Sequence, residues 1–363
     1  MGNPIAKIGV RLHGVTLNLE ADHPPLLDYA VTHLHGMVQP PYGTPDLSVK
    51  CWWSQREWDE EANPFPSNGG LNVIGKRMLG NAEALIWLDT LKMKGLQLRF
   101  RRANEQLHFE VAYCFHPKQK KLESAPEYEY KAYFSLMSYL VYYPMMWYLE
   151  RTRSWTVLHA SALATGESGV MIGGLGGVGK TTTCVALMQC DDMALMSENL
   201  IFTDGEFIYP CYEPIRLDEH SLTMLGAPPE KAGLMPMAFP EGLKDKWLFH
   251  VAQSELLERV RPAILFLPQF SSKSYLIELA PELAVEKILA MNRLTRELDD
   301  YGWYAAALDM HWPVANRAAQ RVEVLREFVQ RIVCFELGID RSAGVGAVVE
   351  NIRRVVNSPR RGI

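Results

Sequence analysis

Hydrophobic and polar positions alternate from the first residues of the chain. Ile8, Val10 and Leu12, then Val15, Leu17 and Leu19, fall on one face across a His13-Gly14 break, which predicts two strands. Pro24 and Pro25 can open a short helix reaching Leu34. A strand is expected over residues 47–53, a loop over 63–70 and a helix over 82–91. Residues 96–101 and 107–114 read as a hairpin turning at Ala103-Asn104-Glu105. Residues 130–150 read as one long buried helix kinked or broken near Pro144. Strands are then expected at 156–158 and 170–172, with a helix over 182–189. Further strands follow at 193–196, 200–202 and 207–209, the last two joined by Thr203-Asp204-Gly205-Glu206, and at 263–267 and 275–279. Residues 225–246, rich in Pro, Gly and Met, read as a long loop and candidate lid. Ala318, Val322, Leu325, Val329 and Ile332 form a helical stripe, with Arg321, Glu323, Arg326 and Glu327 on the face expected to be solvated.

This pattern divides the chain into a mixed, strand-rich region over 1–150 and an α/β region over 151–363 that ends in helices, α+β overall. The length of 363 residues fits two cores. A net charge of −5 gives no nucleic-acid footprint. The six cysteines form no C-x-x-C pair or Cys/His cluster, so reduced thiols in a cytoplasmic protein are expected rather than structural zinc. The uncharged run at 133–149 is short for a membrane span and holds Pro144, so no span is expected. Trp52-Trp53 reads as core or interface, and 118–121 as a solvated basic run.

Chemistry concentrates in Gly174-Leu175-Gly176-Gly177-Val178-Gly179-Lys180-Thr181, which fits G-x-x-x-x-G-K-[ST]. An expected strand precedes it and an expected helix, opening with Thr182, follows it. In that setting glycine amides converge on phosphate and the helix N-terminus adds positive potential. Lys180 would reach the β- and γ-phosphates and Thr181 would sit on Mg²⁺. Two further elements flank the loop: His159, expected at the end of the strand that precedes the loop strand, and Ser197-Glu198-Asn199, after the strand that follows the loop helix. Glu198 is a candidate metal ligand or proton acceptor, and Asn199 offers a neutral oxygen to metal or phosphate. Arg216, Lys244 and Lys246 are candidate contacts to phosphate or an acidic substrate, with ordinary surface charge the competing account of the lysines.

His159-Ala-Ser-Ala-Leu-Ala, Gly169-Val-Met-Ile-Gly-Gly, the glycine loop and Leu195-Met-Ser-Glu-Asn-Leu-Ile together resemble the core of HPr kinase/phosphorylase and its relatives. That fold is similar to the nucleotide domain of phosphoenolpyruvate carboxykinase. Pro214-Ile215-Arg216-Leu217 and the stretch from Cys334 to Asp340 extend the resemblance more weakly. It implies ATP- or GTP-dependent, Mg²⁺-requiring phosphoryl transfer to a hydroxyl, often a serine, of a protein, peptide or small molecule. His159 would stand beside the reacting phosphate. Glu198 and Asn199 would replace an aspartate pair that acts in proton transfer and metal binding. Homo-oligomeric assembly is implied by resemblance only. The rival classes are a nucleotide-binding regulatory protein without catalysis and an NTPase switch.

Overall fold

The computed structural model describes residues 6–56, 63–65, 70–88, 90, 93–103, 106–118, 122–123, 127–190, 193–240, 246–251 and 257–358. The fold is mixed α/β, with several sheets, and α+β overall. It has two compact units. The first comprises Met1–Leu149, Ala238–Lys244 and Asp300–Val314, and the second Glu150–Met237, Asp245–Asp299 and Ala315–Ile363. The two short excursions into the first unit are absent from the sequence pattern. The proposed turn residues Asn104 and Glu105, most of the 118–121 run, and Lys244 lie outside the described residues.

The first unit is built on nine strands: β1 (Ala6–Leu12), β2 (Val15–Ala21), β3 (Val38–Gln39), β4 (Leu47–Ser54), β5 (Asn72–Gly75), β6 (Met78–Gly80), β7 (Ala84–Trp87), β8 (Leu96–Ala103) and β9 (Gln106–Cys114). Their order is β3-β1-β2-β4-β9-β8-β7-β6-β5. The β2–β4 and β4–β9 pairs are parallel and the others antiparallel. The β1–β2 turn puts both His13 (φ 48°) and Gly14 (φ 78°) in the left-handed region, as a tight hairpin needs. The helix expected at 82–91 is instead strand β7. Its apolar run Ala84-Leu85-Ile86-Trp87 suits either state, and pairing with β8 decides for the strand. Trp53 belongs to an aromatic cluster, stacked on His23 (4.6 Å) and Phe115 (5.2 Å).

Helix α1 (Pro24–His33) begins at its prolines. Helix α2 (Tyr128–Met137) passes through a π-helical turn at Ser138–Tyr142 into α3 (Tyr143–Arg153). The expected disturbance near Pro144 is thus a widened turn immediately before it, because proline lacks the amide hydrogen and crowds the carbonyl four residues back. Among the described residues no helix is long and apolar enough to cross a membrane.

The second unit has an eight-stranded sheet: β10 (Thr156–Thr165), β11 (Ser168–Gly173), β12 (Ala194–Ser197), β13 (Leu200–Thr203), β14 (Ile208–Pro210), β18 (Arg261–Ser271), β19 (Tyr275–Glu278) and β20 (Val333–Asp340). The path is β14-β13-β10-β11-β18-β20-β19, with β12 also on β10. A small antiparallel sheet joins β15 (Ile215–Asp218), β17 (Lys246–Val251) and β16 (Leu234–Pro236). The segment 225–240, expected as a loop, therefore carries a 3₁₀ turn (Pro229–Ala232) and β16, with Leu234 buried.

Helices α4 (Lys180–Met188) and α9 (Gly344–Val356) share one apolar core with the small sheet and with Val170, Ile172, Ile264 and Phe266. Helices α6 (Pro281–Leu294) and α8 (Arg317–Gln330) share a second core with Met171, Leu265 and Leu267. The alternation of these neighbours between two cores means that both sheet faces are covered, which explains the continuous apolar runs. Helix α5 (Glu219–Leu225) is capped by Asp218, and α7 (Arg296–His311) passes from the second unit into the first. In α8 the buried face holds Val324, Leu325, Phe328 and Val329, while Ala318 is exposed. Arg321 leaves the solvated face assigned to it: with Arg317 it donates to buried Glu150, at 2.6 and 3.0 Å.

Candidate functional site

Strand β11, the glycine loop and α4 follow one another directly. Gly174 (φ 122°), Gly177 (φ 80°) and Gly179 (φ 87°) adopt conformations that L side chains rarely take. A Cβ at Gly177 or Gly179 would meet nothing within 4 Å, so backbone conformation rather than crowding requires glycine there. The N-cap residue of α4 is Gly179, which has no side chain to cap the helix. The Lys180 ammonium is buried and donates to the carbonyls of Gly174 (3.0 Å) and Leu175 (2.9 Å). Burial lowers its pKa against the opposing pull of Glu198 and Glu297.

Strand β10 runs past the loop with β13 and β12 on one edge and β11 on the other. Thr156 to His159 pair with β13, whereas Ala160 to Thr165 pair with β11. His159 is therefore inside a long strand, where its pairing with β13 ends, and not at the strand end expected from sequence. The β10 edge carrying β12 and β13 is interrupted: Ala162 pairs with Ser197 and His159 with Leu200, leaving Glu198-Asn199 opposite Ala160-Ser161 without regular pairing. Such an irregularity re-aims side chains. Ser161 donates to the Glu198 carbonyl and fixes the break.

The Thr181 hydroxyl donates to Glu198 Oε1. Asn199 Nδ2 donates to Glu213 Oε2 at 2.8 Å, which turns Oδ1 of the amide away from Glu213. Thr295 donates to the Met291 carbonyl (2.8 Å), so at 3.0 Å it accepts the Nδ1 hydrogen of His159. The ring is also hydrogen-bonded to the Gly174 backbone and to the Asn199 side chain. Burial, reinforced by the Lys180 charge, holds the His159 pKa down to about 4, and the imidazole is neutral at pH 7. Burial pushes the Glu198 carboxyl above its ordinary range, opposed by Thr181, Arg216 and Lys180. Burial likewise moves Glu213 up to about 7, against the Asn199 hydrogen bond.

A cavity of about 810 Å³ is lined by His159, the loop from Gly176, Lys180 to Thr183, Glu198, Asn199, Arg216 and Glu297. This volume lies in the range of small-molecule sites. His159, Lys180, Thr181, Thr182, Glu198, Asn199 and Arg216 thus share one chamber. Gly174 and Leu175 act through the carbonyls that hold Lys180. Arg216 stands 3.9 Å from Glu297 Oε1, and Lys246 also lines the chamber.

Glu213, Thr295 and Glu297 were not legible in the sequence as members of this site. Glu213 stood beside the Pro214-Ile215-Arg216 element, a usable signal. Thr295 and Glu297 arrive from over a hundred residues beyond the loop with no local motif.

Among the described residues no group of three His, Cys, Asp or Glu can hold a metal by itself. The Thr181 hydroxyl, Glu198 carboxylate and Asn199 amide are nevertheless hard oxygen donors, two of them in direct contact. That set suits Mg²⁺, which commonly takes one or two protein ligands and completes its shell with phosphate and water. The described cysteines are all free thiols. No protein-family model matches this chain, and no curated protein matches it.

Proposed function

We propose that the second unit binds a nucleoside triphosphate and Mg²⁺ and transfers the γ-phosphate to a hydroxyl of a protein serine, a peptide or a small molecule. The observation that carries this reading is the strand–glycine loop–helix with Lys180 at its mouth, Thr181 on Glu198, and His159 in the same chamber. The resemblance to HPr kinase/phosphorylase, with its carboxykinase-like P-loop fold, supports it.

The loop amides and Lys180 would hold the β- and γ-phosphates, Lys180 exchanging its two loop carbonyls for phosphate oxygens. Mg²⁺, held by Thr181, Asn199 and Glu198, would neutralise phosphate charge. Arg216, which lines the same chamber, would contact phosphate or an acidic substrate. In the transfer the acceptor oxygen bonds to the γ-phosphorus and the bond from that phosphorus to the β–γ bridging oxygen breaks. The acceptor proton passes to the Glu198 carboxylate, and the products are the phosphorylated acceptor and the nucleoside diphosphate. Neutral His159, held by Thr295, Gly174 and Asn199, would stand beside the reacting phosphate.

A regulatory, non-catalytic reading draws on Asn199, which brings no charge and commits its NH₂ group to Glu213. The experiment is γ-phosphate transfer from labelled ATP with Mg²⁺ in a cell extract, the wild type beside Lys180→Ala and Glu198→Gln. The expected result is a labelled acceptor that disappears in both variants. Tight ATP binding without any labelled species selects the regulatory reading, and release of free phosphate alone selects the NTPase switch.

A further inference from the structure

The chamber has a second end that none of the transfer roles uses. Strands β11, β18 and β20 are parallel neighbours, so their carboxyl ends open on one edge of the sheet. The phosphate loop follows the first. Phe270 stands at the end of the second, paired with Ile339 at the end of the third. Arg341 follows directly, with its guanidinium carbon 3.7 Å from the Phe270 ring centroid. Phe270 is 42% exposed and lines the cavity. Met224, Ile339, Val345 and Val348 complete an apolar wall at this end.

We infer that Phe270 and Arg341 form a platform on which the purine base of the nucleotide stacks. This rests on the phosphate-loop reading and assigns the remaining part of the same ligand. Adjacent strands are about 4.8 Å apart, so the platform lies one to two strand spacings from the loop strand, a span that a sugar and triphosphate bridge. Ligands of open α/β sheets bind outside the carboxyl ends of the strands, where these groups lie. An aromatic face and a planar guanidinium both stack on bases, and a purine offers the larger face. The apolar wall excludes water from the base edge, and Arg341 is held in place by the 3₁₀ turn Arg341–Ala343, which Asp340 caps through Ser342.

The test is isothermal titration of the full chain with ATP, UTP and inorganic tripolyphosphate in the presence of Mg²⁺. Phe270→Ala is expected to weaken ATP about tenfold while tripolyphosphate binding stays within about twofold. Phe270→Leu keeps the apolar bulk and removes the aromatic face; it should show the same selectivity and serves where circular dichroism shows that Phe270→Ala misfolds. UTP should bind the wild type more weakly than ATP. Equal affinities of the wild type for ATP and tripolyphosphate, or equal losses for both in the variants, overturn the platform and leave the phosphate loop standing. UTP binding as tight as ATP overturns the purine assignment. Failure of the wild type to bind any of the three removes the platform and the phosphate-loop reading together.

Discussion

Two groups of buried carboxylates, one in each unit, are treated oppositely by their surroundings. In the first unit Glu110 on β9 faces two guanidiniums from the neighbouring strand β8. Arg101 grips it with two hydrogen bonds of 2.9 Å and Arg99 adds a third. Burial pushes the Glu110 carboxyl up, but the two arginines outweigh it and the net shift is downward. In the second unit Glu198 and Glu213 receive hydrogen bonds from a threonine hydroxyl and an asparagine amide. Burial dominates there and both carboxyls are raised. Compensated charge is what a structural ion pair needs. Carboxylates raised by burial around the glycine loop are costly to hold, and such cost concentrates where proton transfer or cation binding uses it.

The sharpest way to break this comparison is to neutralise one acid in each group. Glu198→Gln should lower phosphoryl transfer by roughly 10²- to 10⁴-fold through loss of the proton acceptor. Glu110→Gln should leave the specific rate of folded protein unchanged. Rates measured on protein whose far-ultraviolet dichroism matches the wild type check both statements. A loss of transfer in Glu110→Gln comparable to that in Glu198→Gln would dissolve the distinction.

Glu213 divides the second group further, because it touches Asn199 rather than the chamber's glycine loop. On the phosphoryl-transfer reading proposed above, it positions Asn199. Glu213→Ala should cost roughly 10- to 100-fold in kcat or in Mg²⁺ affinity, the usual effect of removing an outer partner of a metal ligand. Glu213→Gln keeps an acceptor for Asn199 Nδ2 and should recover most of that loss. A purely structural role would lower stability in both variants without moving the Mg²⁺ dependence.

How much of this was legible differs between the two acid groups for a physical reason. The glycine loop is a contiguous signal: glycines needed for positive φ, a lysine, a hydroxyl, a strand before and a helix after. Glu198-Asn199 stood near enough in the chain to be assigned with it, and His159 likewise. The Glu110 cluster is a cross-strand register effect, Arg99 lying opposite Glu110 only once β8 and β9 pair. Arg321 was placed on a solvated face because periodicity tells which side of a helix is apolar, not that Glu150 waits in the apolar interior. Residues 82–91 failed for the complementary reason: a short apolar run carries no period of its own, and its neighbour in the sheet settles it.

A smaller effect measures the structural group by itself. Removing the Glu110 charge leaves Arg99 and Arg101 beside a neutral amide, at an expected cost of about 1–3 kcal/mol in unfolding free energy. Arg101 is substantially exposed, so part of its charge is resolvated and the lower half of that range is favoured. Chemical unfolding of wild type and Glu110→Gln at pH 7 supplies the number.

The smallest expected effect is the pH dependence of that difference, and its sign separates the two acid groups. The Glu110 pKa is depressed in the folded chain below its ordinary value of 4.5. The stabilisation it provides is therefore complete above about pH 4.5 and is lost as the pH falls through the folded value, by about 1.4 kcal/mol for each unit of depression. The unfolding midpoint of wild type should drop toward that of Glu110→Gln over this acid window, and the two curves should run parallel from pH 5 to 8. A raised carboxyl gives the opposite sign: its burial penalty is present at high pH and is relieved as the pH falls through the folded pKa. A gap between wild type and Glu110→Gln that widened on acidification would place Glu110 with the uncompensated acids and remove the physical basis for separating the two groups.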